Sequence, residues 1–353
     1  MQSEGLATKL YEDTASRQDK AMRRISEKLI KENKLMKVAV LGAGGISGCH
    51  VPAWQRIEEA ELVAICDVMP DRLEKYKDTG ARLYESCDEM LEKEQIDILD
   101  ICLPTFLHVE FAIKAMERGI NVICEKPISL NKEDVDRVYA VAEKNNVKFM
   151  IAHVVRFWPE FVFLRNAVVN KTYGKMLTGH MLRLGSTPRW SWENWMRRKE
   201  CSGLVPFDLH IHDLDYIVYT FGAPVNVITH RAQHNDQDII NATYEFADGA
   251  FLTCDSWWVT SDYPFTFGFR FTFENAVIEL KEGKLMVYPV GADAFEVKEE
   301  TESTEGAINL PATDAYFEEI RYFANCVLEN KPADIIKPEE LKTVLQLMES
   351  FEK

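Results

Sequence analysis

The glycine-rich segment 42–48, with the sequence GAGGISG, constrains the fold of this chain more than any other feature. It directly follows the apolar run 37–42 and stands before 46–58, a stretch in which apolar residues have helical spacing. Where a strand passes through glycines into a helix, the first N–H groups of the helix and its positive dipole end face the turn. The segment therefore predicts a phosphate-binding turn at the start of a dinucleotide-binding domain.

Short apolar runs alternate with amphipathic stretches from Lys37 to about Ile151. The apolar runs, interpreted as strands, are 37–42, 61–67, 97–104, 121–127 and 148–152. The amphipathic stretches, interpreted as helices, are 46–58, 70–79, 86–94, 106–118 and 131–145. Nearly unbroken apolar strands that alternate with helices are typical of a parallel sheet covered on both faces. We therefore predict an α/β Rossmann domain with a parallel sheet over residues 37–152.

A different pattern begins after residue 152. Segments of alternating apolar and polar residues, interpreted as strands, are 175–185, 225–233, 238–246, 249–259, 264–273 and 276–280. Helices are predicted at 158–170, 207–220, 312–329 and 337–352. Residues 153–353 are thus expected to form an α+β domain with a large open, mostly antiparallel sheet that serves substrate binding and oligomerisation. Its C-terminal helices can pack back on the Rossmann domain.

Residues 1–36 precede both domains as an N-terminal helical extension. Met22, Ile25 and Leu29 recur at helical spacing and predict an amphipathic helix over 15–34. Two interpretations stay open for it: an arm that packs on this or a neighbouring subunit, or a frayed end.

The net charge narrows the range of partners. The 353 residues carry a formal net charge of −16, which repels phosphate backbones and anionic lipid. The one dense basic run, 197–199, is flanked by Glu193 and Glu200, so it is interpreted as a solvated loop. No apolar run reaches the ~18 residues of a membrane helix, and cysteines without a C-x-x-C pair suit a reducing cytosol. We therefore expect a cytoplasmic protein that binds neither nucleic acid nor membrane.

Four residues of the glycine-rich segment are assigned to cofactor binding, namely Gly42, Gly44, Gly45 and Ile46. Gly42 permits the tight turn, and Gly44 lets the backbone approach a pyrophosphate. Ser47 occupies the place of the usual third glycine. Serine is small enough for a helix to pack closely on a strand, but it departs from the strict pattern.

Asp67 ends the second apolar run and bears on the choice of cofactor. An acid at this place accepts hydrogen bonds from the ribose hydroxyls of adenosine and repels a 2′-phosphate. The predicted cofactor is therefore NAD, with NADP less favoured. Two alternatives stay open, since Asp67 can simply cap a turn before Pro70 and Arg72 can offset the repulsion.

Two further blocks carry candidate chemistry. The block ICEKP ends a predicted strand, so Lys126 is expected at the edge of the sheet where ligands bind. The block DLHIHDLD lies in a predicted helix in which Asp208, His212 and Asp215 share one face. A carboxylate one turn from an imidazole can orient it and raise its basicity, as proton transfer requires.

Together these blocks resemble the glucose–fructose oxidoreductase/inositol dehydrogenase (Gfo/Idh/MocA) family. The matching segments are GAGGISGCH at 42–50, CLPTFLH at 102–108, GINVICEKP at 119–127, RFWP at 156–159 and DLHIHDLD at 208–215. They occur in the family's order and cover most of residues 37–220. The resemblance implies three catalytic roles: Lys126 binds the reacting oxygen, His212 transfers the proton, and Asp208 assists. It also implies that Lys126–Pro127 can be a cis peptide bond.

The resemblance further implies contacts with the cofactor and the substrate. Pro104 and Thr105, where the family often has Asn in place of Thr, match a cofactor-contacting turn, and His108 in the same segment is assigned to cofactor binding with them. Glu125 is expected near the nicotinamide ribose. Arg156 matches a position close to the substrate pocket.

Two departures from the family pattern affect the expected shape of the pocket. Residues 201–203 read CSG where the family often has GGG, and His210 replaces a glycine.

His210 and His212 could suggest a metal site together with Asp213 and Asp215. However, the two histidines point to different faces of one helix, so no metal is predicted.

Aromatic residues raise two further expectations. Trp190, Trp192 and Trp195 can stack on a sugar, with Trp190 as the substrate candidate, or they can serve packing. The stretch 264–273 places phenylalanines at every second position, at Phe265, Phe267, Phe269 and Phe271. An exposed face of this kind would be covered by another subunit, which predicts a homodimer or homotetramer.

These observations predict an NAD-dependent oxidoreductase. It would transfer a hydride between a nicotinamide cofactor and a secondary alcohol of a sugar, inositol or glycoside. One alternative is an NAD-dependent glycosidase that oxidises the sugar, eliminates the glycoside and returns the hydride. A second alternative is a non-catalytic nucleotide-sensing regulator, against which the presence of Lys126, Asp208 and His212 together argues.

Overall fold

The structure is a computed structural model that describes residues 35–298 and 313–352. The helix predicted over 15–34 lies outside these residues. Two sheets organise the described chain, and they correspond to the two sequence patterns on either side of residue 152.

The first sheet is a six-stranded parallel sheet, as predicted. Its strands are β1 (Met36–Leu41), β2 (Ala60–Cys66), β3 (Arg82–Tyr84), β4 (Ile98–Ile101), β5 (Asn121–Glu125) and β6 (Phe149–Ala152). Their order across the sheet is β3-β2-β1-β4-β5-β6. The order reverses between β1 and β4, and ligands bind at the carboxyl ends of strands beside such a switch point. Strand β3 was not predicted, because it has three residues of which two are exposed.

Helices connect the strands of this first sheet. They are α1 (Ser47–Gln55), α2 (Pro70–Leu73), α3 (Cys87–Lys93), α4 (His108–Met116) and α5 (Glu133–Lys144). The helix predicted over 70–79 is only partly α-helical. After α2 it continues as the 3-10 helix Glu74–Thr79 and ends at Gly80, whose φ of 84° suits glycine.

The second sheet has eight strands and is mostly antiparallel, again as predicted. Its strands are β7 (Met176–Ser186), β8 (Asn226–His234), β9 (Gln237–Glu245), β10 (Phe251–Val259), β11 (Thr266–Phe273), β12 (Ala276–Lys281), β13 (Lys284–Pro289) and β14 (Phe295–Val297). Their order is β14-β13-β12-β11-β7-β10-β9-β8, and β7 pairs in parallel with β10. The sequence pattern missed β13 and β14, which are short strands near exposed turns.

Five helices accompany the second sheet. They are α6 (Pro159–Val169), α7 (Lys199–Ser202), α8 (Ile211–Phe221), α9 (Ala315–Leu328) and α10 (Pro338–Met348). A π-helical turn, Pro206–His210, leads directly into α8. Helix α9 packs against α1 of the first sheet, and the ion pair of Arg321 with Glu59 joins the two parts of the chain.

The phenylalanines of β11 do not form the exposed face that was predicted. Phe269 and Phe271 are buried, because α6 and α8 cover this face of the sheet. The ring centroid of Phe269 lies 5.1 Å from that of Phe161 on α6, and that of Phe271 lies 5.5 Å from Phe221 on α8. The expectation of an exposed phenylalanine face was therefore wrong, since these rings belong to the chain's own core.

Two other features of the described chain bear on the sequence predictions. All eight cysteines are free thiols. None of the helices within 35–298 and 313–352 combines the length and the apolarity needed to cross a membrane.

Candidate functional site

The glycine-rich turn between β1 and α1 is shaped by close approach of the backbone. Gly42 has a φ of 105°, and a Cβ atom there would lie 2.4 Å from the carbonyl oxygen of Cys102 at the end of β4. Only glycine fits this position. Gly44, in contrast, faces open space, and a Cβ atom added to it would meet no other group within 4 Å. The turn therefore leaves room for a ligand at Gly44.

Ser47 explains the departure from the glycine pattern. It is fully buried, and its hydroxyl donates to the carbonyl oxygen of Gly44 at 2.6 Å. The same hydroxyl lies 2.7 Å from that of Tyr76. The serine thus ties the turn to the segment after β2, a contact that a third glycine could not make.

Three residues of the glycine-rich turn have backbone N–H groups that are available to a ligand. Within the described part of the chain, the N–H groups of Gly44, Gly45 and Ile46 have no hydrogen-bond partner. Helix α1 begins at the next residue, so its positive dipole end points the same way. Free N–H groups at a helix start form an anion site.

Asp67 lies directly beside this turn. One carboxylate oxygen accepts the N–H of Ala43 at 2.8 Å, and the other accepts the N–H of Met69 at 2.8 Å. The second bond is the turn cap that was considered as an alternative, so Asp67 both caps its turn and faces the glycine segment. Nη1 of Arg72 lies 3.8 Å from the carboxylate. Sequence reasoning missed Lys75, whose Nζ donates to the carbonyl oxygen of Gly44 at 2.9 Å.

The turn after β4 lies next to the glycine segment in the sheet order. Pro104 precedes a 3-10 turn that begins at Thr105, and Thr105 is buried. His108 is also buried, and its two ring nitrogens each lie 2.7 Å from a carbonyl oxygen, those of Pro127 and Leu103. The structure thus uses His108 to hold this turn to the end of β5, which differs from the direct cofactor contact that was predicted.

Lys126 follows β5 directly, and its bond to Pro127 is cis. The Nζ atom of Lys126 donates to the backbone carbonyl of Asp208 at 2.7 Å. It also lies 3.3 Å from Oδ1 of the Asp208 carboxylate. The structure therefore joins the end of the first sheet to the π-helical turn before α8, as the assignment of these two residues to one site requires.

His212 stands at the start of α8 and is held as a neutral base. Its Nδ1 atom is buried and has no hydrogen-bond partner among the described residues. Burial lowers the pKa of His212 well below its usual value, and the nearby charge of Lys126 lowers it further. At neutral pH the ring is therefore free to accept a proton.

The predicted coupling of Asp208 to His212 is not what the structure has. Asp208 lies in the π-helical turn, where bonds span five residues, so Asp208 and His212 are not separated by one α-helical turn. The described contacts of the Asp208 carboxylate go to Lys126. A neighbouring carboxylate was expected to raise the pKa of His212. The pKa is lowered instead, because no carboxylate offsets the burial of the ring.

Arg156 also has a role other than the one expected. Its side chain is fully buried, and its Nε and Nη2 atoms donate to the two carboxylate oxygens of Asp215 at 2.8 and 2.7 Å. Its Nη1 donates at 2.6 Å both to Glu340 and to the carbonyl oxygen of Ile335. Arg156 therefore braces α8 against α10.

Sequence reasoning missed His153, which follows β6 beside Lys126 in the neighbouring strand. Its Nδ1 atom lies 3.5 Å from the Asp215 carboxylate, and neither ring nitrogen has a hydrogen bond within the described residues. Burial lowers the pKa of His153 to about 4. Its position at the carboxyl end of a strand was the available signal.

A buried polar network behind Lys126 was also missed. Nδ1 of His50 donates to Asp100 at 2.8 Å and Nε2 donates to Glu125 at 3.0 Å, while Trp54 donates to Asp100 at 2.7 Å. The free Glu125 oxygen accepts the backbone N–H of Lys126 at 3.0 Å. The network thus fixes the residue that precedes Lys126. Its signal in the sequence was Asp100, an acid inside an apolar run.

Within this network one imidazole, that of His50, faces the carboxylates of Asp100 and Glu125. Burial lowers the pKa of His50, but the charges and hydrogen bonds of Asp100 and Cys102 together outweigh it and raise the pKa well above its usual value. Burial raises the pKa of Glu125, but the hydrogen bond from His50 and the positive charges nearby, chiefly that of His50, together more than offset this, so the pKa is lowered. His50, Asp100 and Cys102 are close enough together to hold a metal ion. Their polar atoms, however, already bond to one another.

The three tryptophans of the 190–195 segment are placed differently from one another. Trp190 is 58% exposed, whereas Trp192 and Trp195 are half-buried. The ring of Trp195 lies edge-on to Phe106, with centroids 6.5 Å apart. Phe106 belongs to the turn after β4, so this segment reaches across to the predicted cofactor side.

Comparison with known proteins gives two family matches. Residues 36–153 match the model of the oxidoreductase family with an NAD-binding Rossmann fold, GFO_IDH_MocA. Residues 161–279 match that of the GFO/IDH/MocA C-terminal domain.

Several curated proteins are similar in sequence. Myo-inositol 2-dehydrogenase of Thermotoga maritima is 34% identical over 55% of this chain and 57% of its own length. D-glucoside 3-dehydrogenase of Escherichia coli is 29% identical over 54% of this chain and 55% of its own length. A 2,7-anhydro-N-acetylneuraminate hydratase of Mediterraneibacter gnavus is 25% identical over 63% of this chain and 61% of its own length. The chain thus spans less than two thirds of each of these relatives.

Solved structures share the whole fold. An oxidoreductase from Agrobacterium radiobacter in complex with NAD+, L-tartaric acid and magnesium superposes with a TM-score of 0.77 at 17% identity, over 90% of this chain and 95% of that one. A putative myo-inositol dehydrogenase from Sinorhizobium meliloti gives a TM-score of 0.72 at 22% identity, over 89% of this chain and 95% of that one.

Proposed function

Because the chain belongs to the Gfo/Idh/MocA oxidoreductase family, we propose that it is an NAD-dependent dehydrogenase acting on a secondary alcohol of a sugar, an inositol or a glycoside. The observation that carries this proposal is the contact of Lys126 with Asp208, 2.7 Å from Nζ to the carbonyl oxygen, close to the neutral ring of His212. The relatives named as inositol and glucoside dehydrogenases support the substrate class.

The residues of the glycine-rich turn fit a dinucleotide. Gly44 leaves space for a pyrophosphate, and the unpartnered N–H groups beside it are its natural donors. Asp67 stands where ribose hydroxyls would be bound, which favours NAD over NADP. Pro104, Thr105 and Glu125 would complete the cofactor site. When bound, the nicotinamide supplies the acceptor or donor of the hydride.

The chain's own residues would then handle the oxygen and its proton. Lys126 carries three N–H donors, of which two go to Asp208. The third is available to the oxygen of a substrate, where it stabilises negative charge that develops there. His212 takes the hydroxyl proton onto its neutral ring. Asp208 acts by positioning Lys126.

The substrate is expected to lie between this group and the tryptophan segment. Trp190 is the most exposed of the three tryptophans, so it is free to stack on the apolar face of a sugar. We propose it as a substrate contact.

The test is a substrate panel with the purified protein. Inositols, hexoses, uronic acids and glycosides are offered with NAD+ and, in parallel, with NADP+, and cofactor reduction is followed by absorbance. With the best substrate, Lys126→Ala should lower kcat by roughly 10²-fold or more, and His212→Ala by a factor of roughly 10²–10⁴.

Lys175→Ala serves as the control, since Lys175 is exposed and its Nζ contacts Asp248 at the surface. Unchanged turnover in Lys126→Ala would reject the proposed role of Lys126. Tight NAD+ binding without turnover on any substrate would favour a nucleotide-sensing regulator.

A redox-neutral reaction is the second candidate, and the relative named as a hydratase favours it. In such a reaction the hydride taken from the substrate is returned after elimination or addition at a neighbouring carbon. Product formation with catalytic NAD+ and no net NADH would identify this reaction. Stoichiometric NADH would identify the dehydrogenase.

We propose that the chain forms a homodimer or homotetramer through the outer face of the second sheet. The face opposite α6 and α8 carries Ile228, Ile239 and Phe251, which are 45%, 36% and 45% exposed. Register places Thr243 of β9 between Ile228 and Thr253, so the apolar residues share this face with polar ones. Sedimentation at micromolar concentration should show an oligomer that Phe251→Lys weakens. A monomeric wild type would reject the proposal.

A further inference from the structure

Glu319 is a buried acid that the proposed mechanism does not use. It lies on α9, and its side chain is fully buried. Neither of its carboxyl oxygens has a hydrogen-bond partner in the part of the chain that the structure describes. Buried polar groups without partners are rare in folded proteins, so each one calls for an explanation.

The position of Glu319 connects it to the network behind Lys126. Tyr316 precedes it by one turn of α9, and the ring centroid of Tyr316 lies 5.9 Å from that of His50. Helix α9 also packs against the strand that ends at Glu125. Glu319 therefore lies on the helix that packs against the elements carrying His50 and Glu125.

The charges around Glu319 leave it without a cation of its own. Four titratable groups face it: Glu125 from β5, His50 from α1, Asp100 from β4 and Asp215 from α8. His50 is shared by Asp100 and Glu125, and Asp215 is matched by Arg156. Burial, followed by the negative charge of Glu125, raises the pKa of Glu319 well above its usual value. Burial without a hydrogen-bond partner thus favours the neutral form of its carboxyl group.

We propose that Glu319 is a proton-holding residue behind the cofactor site, neutral in the free protein and ready to release its proton when positive charge is placed beside Glu125. This inference rests on the proposed function, because the oxidised nicotinamide ring is such a charge and the reduced ring is not. A charge near Glu125 acts strongly on Glu319, since both side chains are buried and burial weakens screening. Glu319 touches no substrate and acts through Glu125, as a positioning residue.

The test compares proton release on binding of the two cofactor forms. NAD+ and NADH are titrated calorimetrically into the protein in two buffers of different ionisation enthalpy, which gives the protons released per site. The wild type should release more protons with NAD+ than with NADH. In Glu319→Gln both cofactors should still bind, and the difference should disappear.

Glu318→Gln is the matched control, because Glu318 is the exposed neighbour on the same helix and its variant should retain the wild-type difference. A difference that persists in Glu319→Gln would overturn the inference. Glu319→Leu, checked for folding by circular dichroism, should behave like Glu319→Gln and excludes an effect specific to the amide.

A second measurement needs no cofactor. The infrared spectrum of the free protein at pH 7 should contain the carbonyl band of a protonated carboxylic acid that Glu319→Gln and Glu319→Leu both lack. A spectrum without this band would overturn the inference even if cofactor binding is normal. Failure of the wild type to bind either cofactor would instead reject the proposed function, and the infrared result would still decide whether Glu319 holds a proton.

Discussion

Replacing Arg156 with methionine should lower the free energy of unfolding of the protein. It should leave the KM for the substrate unchanged. Arg156 makes four hydrogen bonds, two to Asp215, one to Glu340 and one to the carbonyl oxygen of Ile335. Asp215 is fully buried, and Glu340 is 19% exposed. Methionine fills much of the space of the arginine stem but leaves the Asp215 carboxylate without its cation. Removing one partner of a buried ion pair costs roughly 3–5 kcal/mol.

The assay is urea unfolding followed by fluorescence, with the free energy of unfolding extrapolated to water. Arg165→Met is the matched control. Both arginines lie over the ring of Tyr219, at 4.2 Å for Arg156 and 4.0 Å for Arg165, so the control removes a comparable ring contact. It should cost about 1 kcal/mol. Adding Asp215→Asn to Arg156→Met should recover part of the loss, because the unpaired charge is then gone.

The loss should also depend on pH with a definite sign. Burial raises the pKa of Asp215, but the charge and hydrogen bonds of Arg156, together with the charge of His153, more than offset this and hold the pKa below its usual value. A carboxyl group of this kind stabilises the folded state fully above its unfolded pKa of about 4. The gap between wild type and Arg156→Met should therefore shrink as the pH falls through the lowered pKa. If Arg156→Met lost under 1 kcal/mol in the free energy of unfolding and showed a large rise in KM, the bracing role would be refuted. Arg156 would then be assigned to the substrate pocket.

Three further changes have equally direct outcomes. Gly42→Ala should abolish NAD+ binding in calorimetry, because its Cβ would lie 2.4 Å from the carbonyl oxygen of Cys102; retained affinity would contradict the tight turn. Asp67→Asn should raise the ratio of kcat/KM for NADP+ to that for NAD+ by about tenfold or more, equal to ~1.4 kcal/mol, because Arg72 stays nearby. An unchanged ratio would argue against Asp67 as the residue that selects NAD+ over NADP+. His50→Gln should lose stability most at low pH. The pKa of His50 is raised in the folded state. The stability that His50 contributes is therefore complete below its unfolded pKa of about 6.5 and is lost as the pH rises through the folded pKa. A difference in stability between wild type and variant that does not change with pH would exclude a charged His50.

The fold was predictable where the periodicity of the sequence is strong. The parallel strands of the first sheet are almost continuously apolar because both of their faces are covered, and they were placed to within two or three residues. Strands β3 and β14 were missed because three residues, mostly exposed, carry no usable pattern. The phenylalanines of β11 were found at the correct spacing, but spacing alone does not say which face of a sheet the helices will cover.

The candidate site was predictable in its residues more than in its contacts. Lys126 and Asp208 were chosen from separate segments, and the structure brings them within hydrogen-bond distance. The predicted pairing of Asp208 with His212 was not found, because a π-helical turn changes the spacing between the two residues. Hydrophobic periodicity does not predict such a turn. The contacts of Arg156 were not foreseen for a different reason. Its partners Asp215 and Glu340 lie far along the chain, and a sequence alone gives no sign that they would meet it.

The packing of α9 on α1 has a consequence for how the protein is made. All strands of the first sheet are complete by residue 152, yet the wall that carries Tyr316 and Glu319 belongs to Ala315–Leu328. At a synthesis rate of about 5–20 residues per second, roughly 10–35 s separate the two events. During that interval His50 and its carboxylate partners lack their cover. A nascent chain should therefore gain its full affinity for a dinucleotide only late in translation, when the second sheet has already been made.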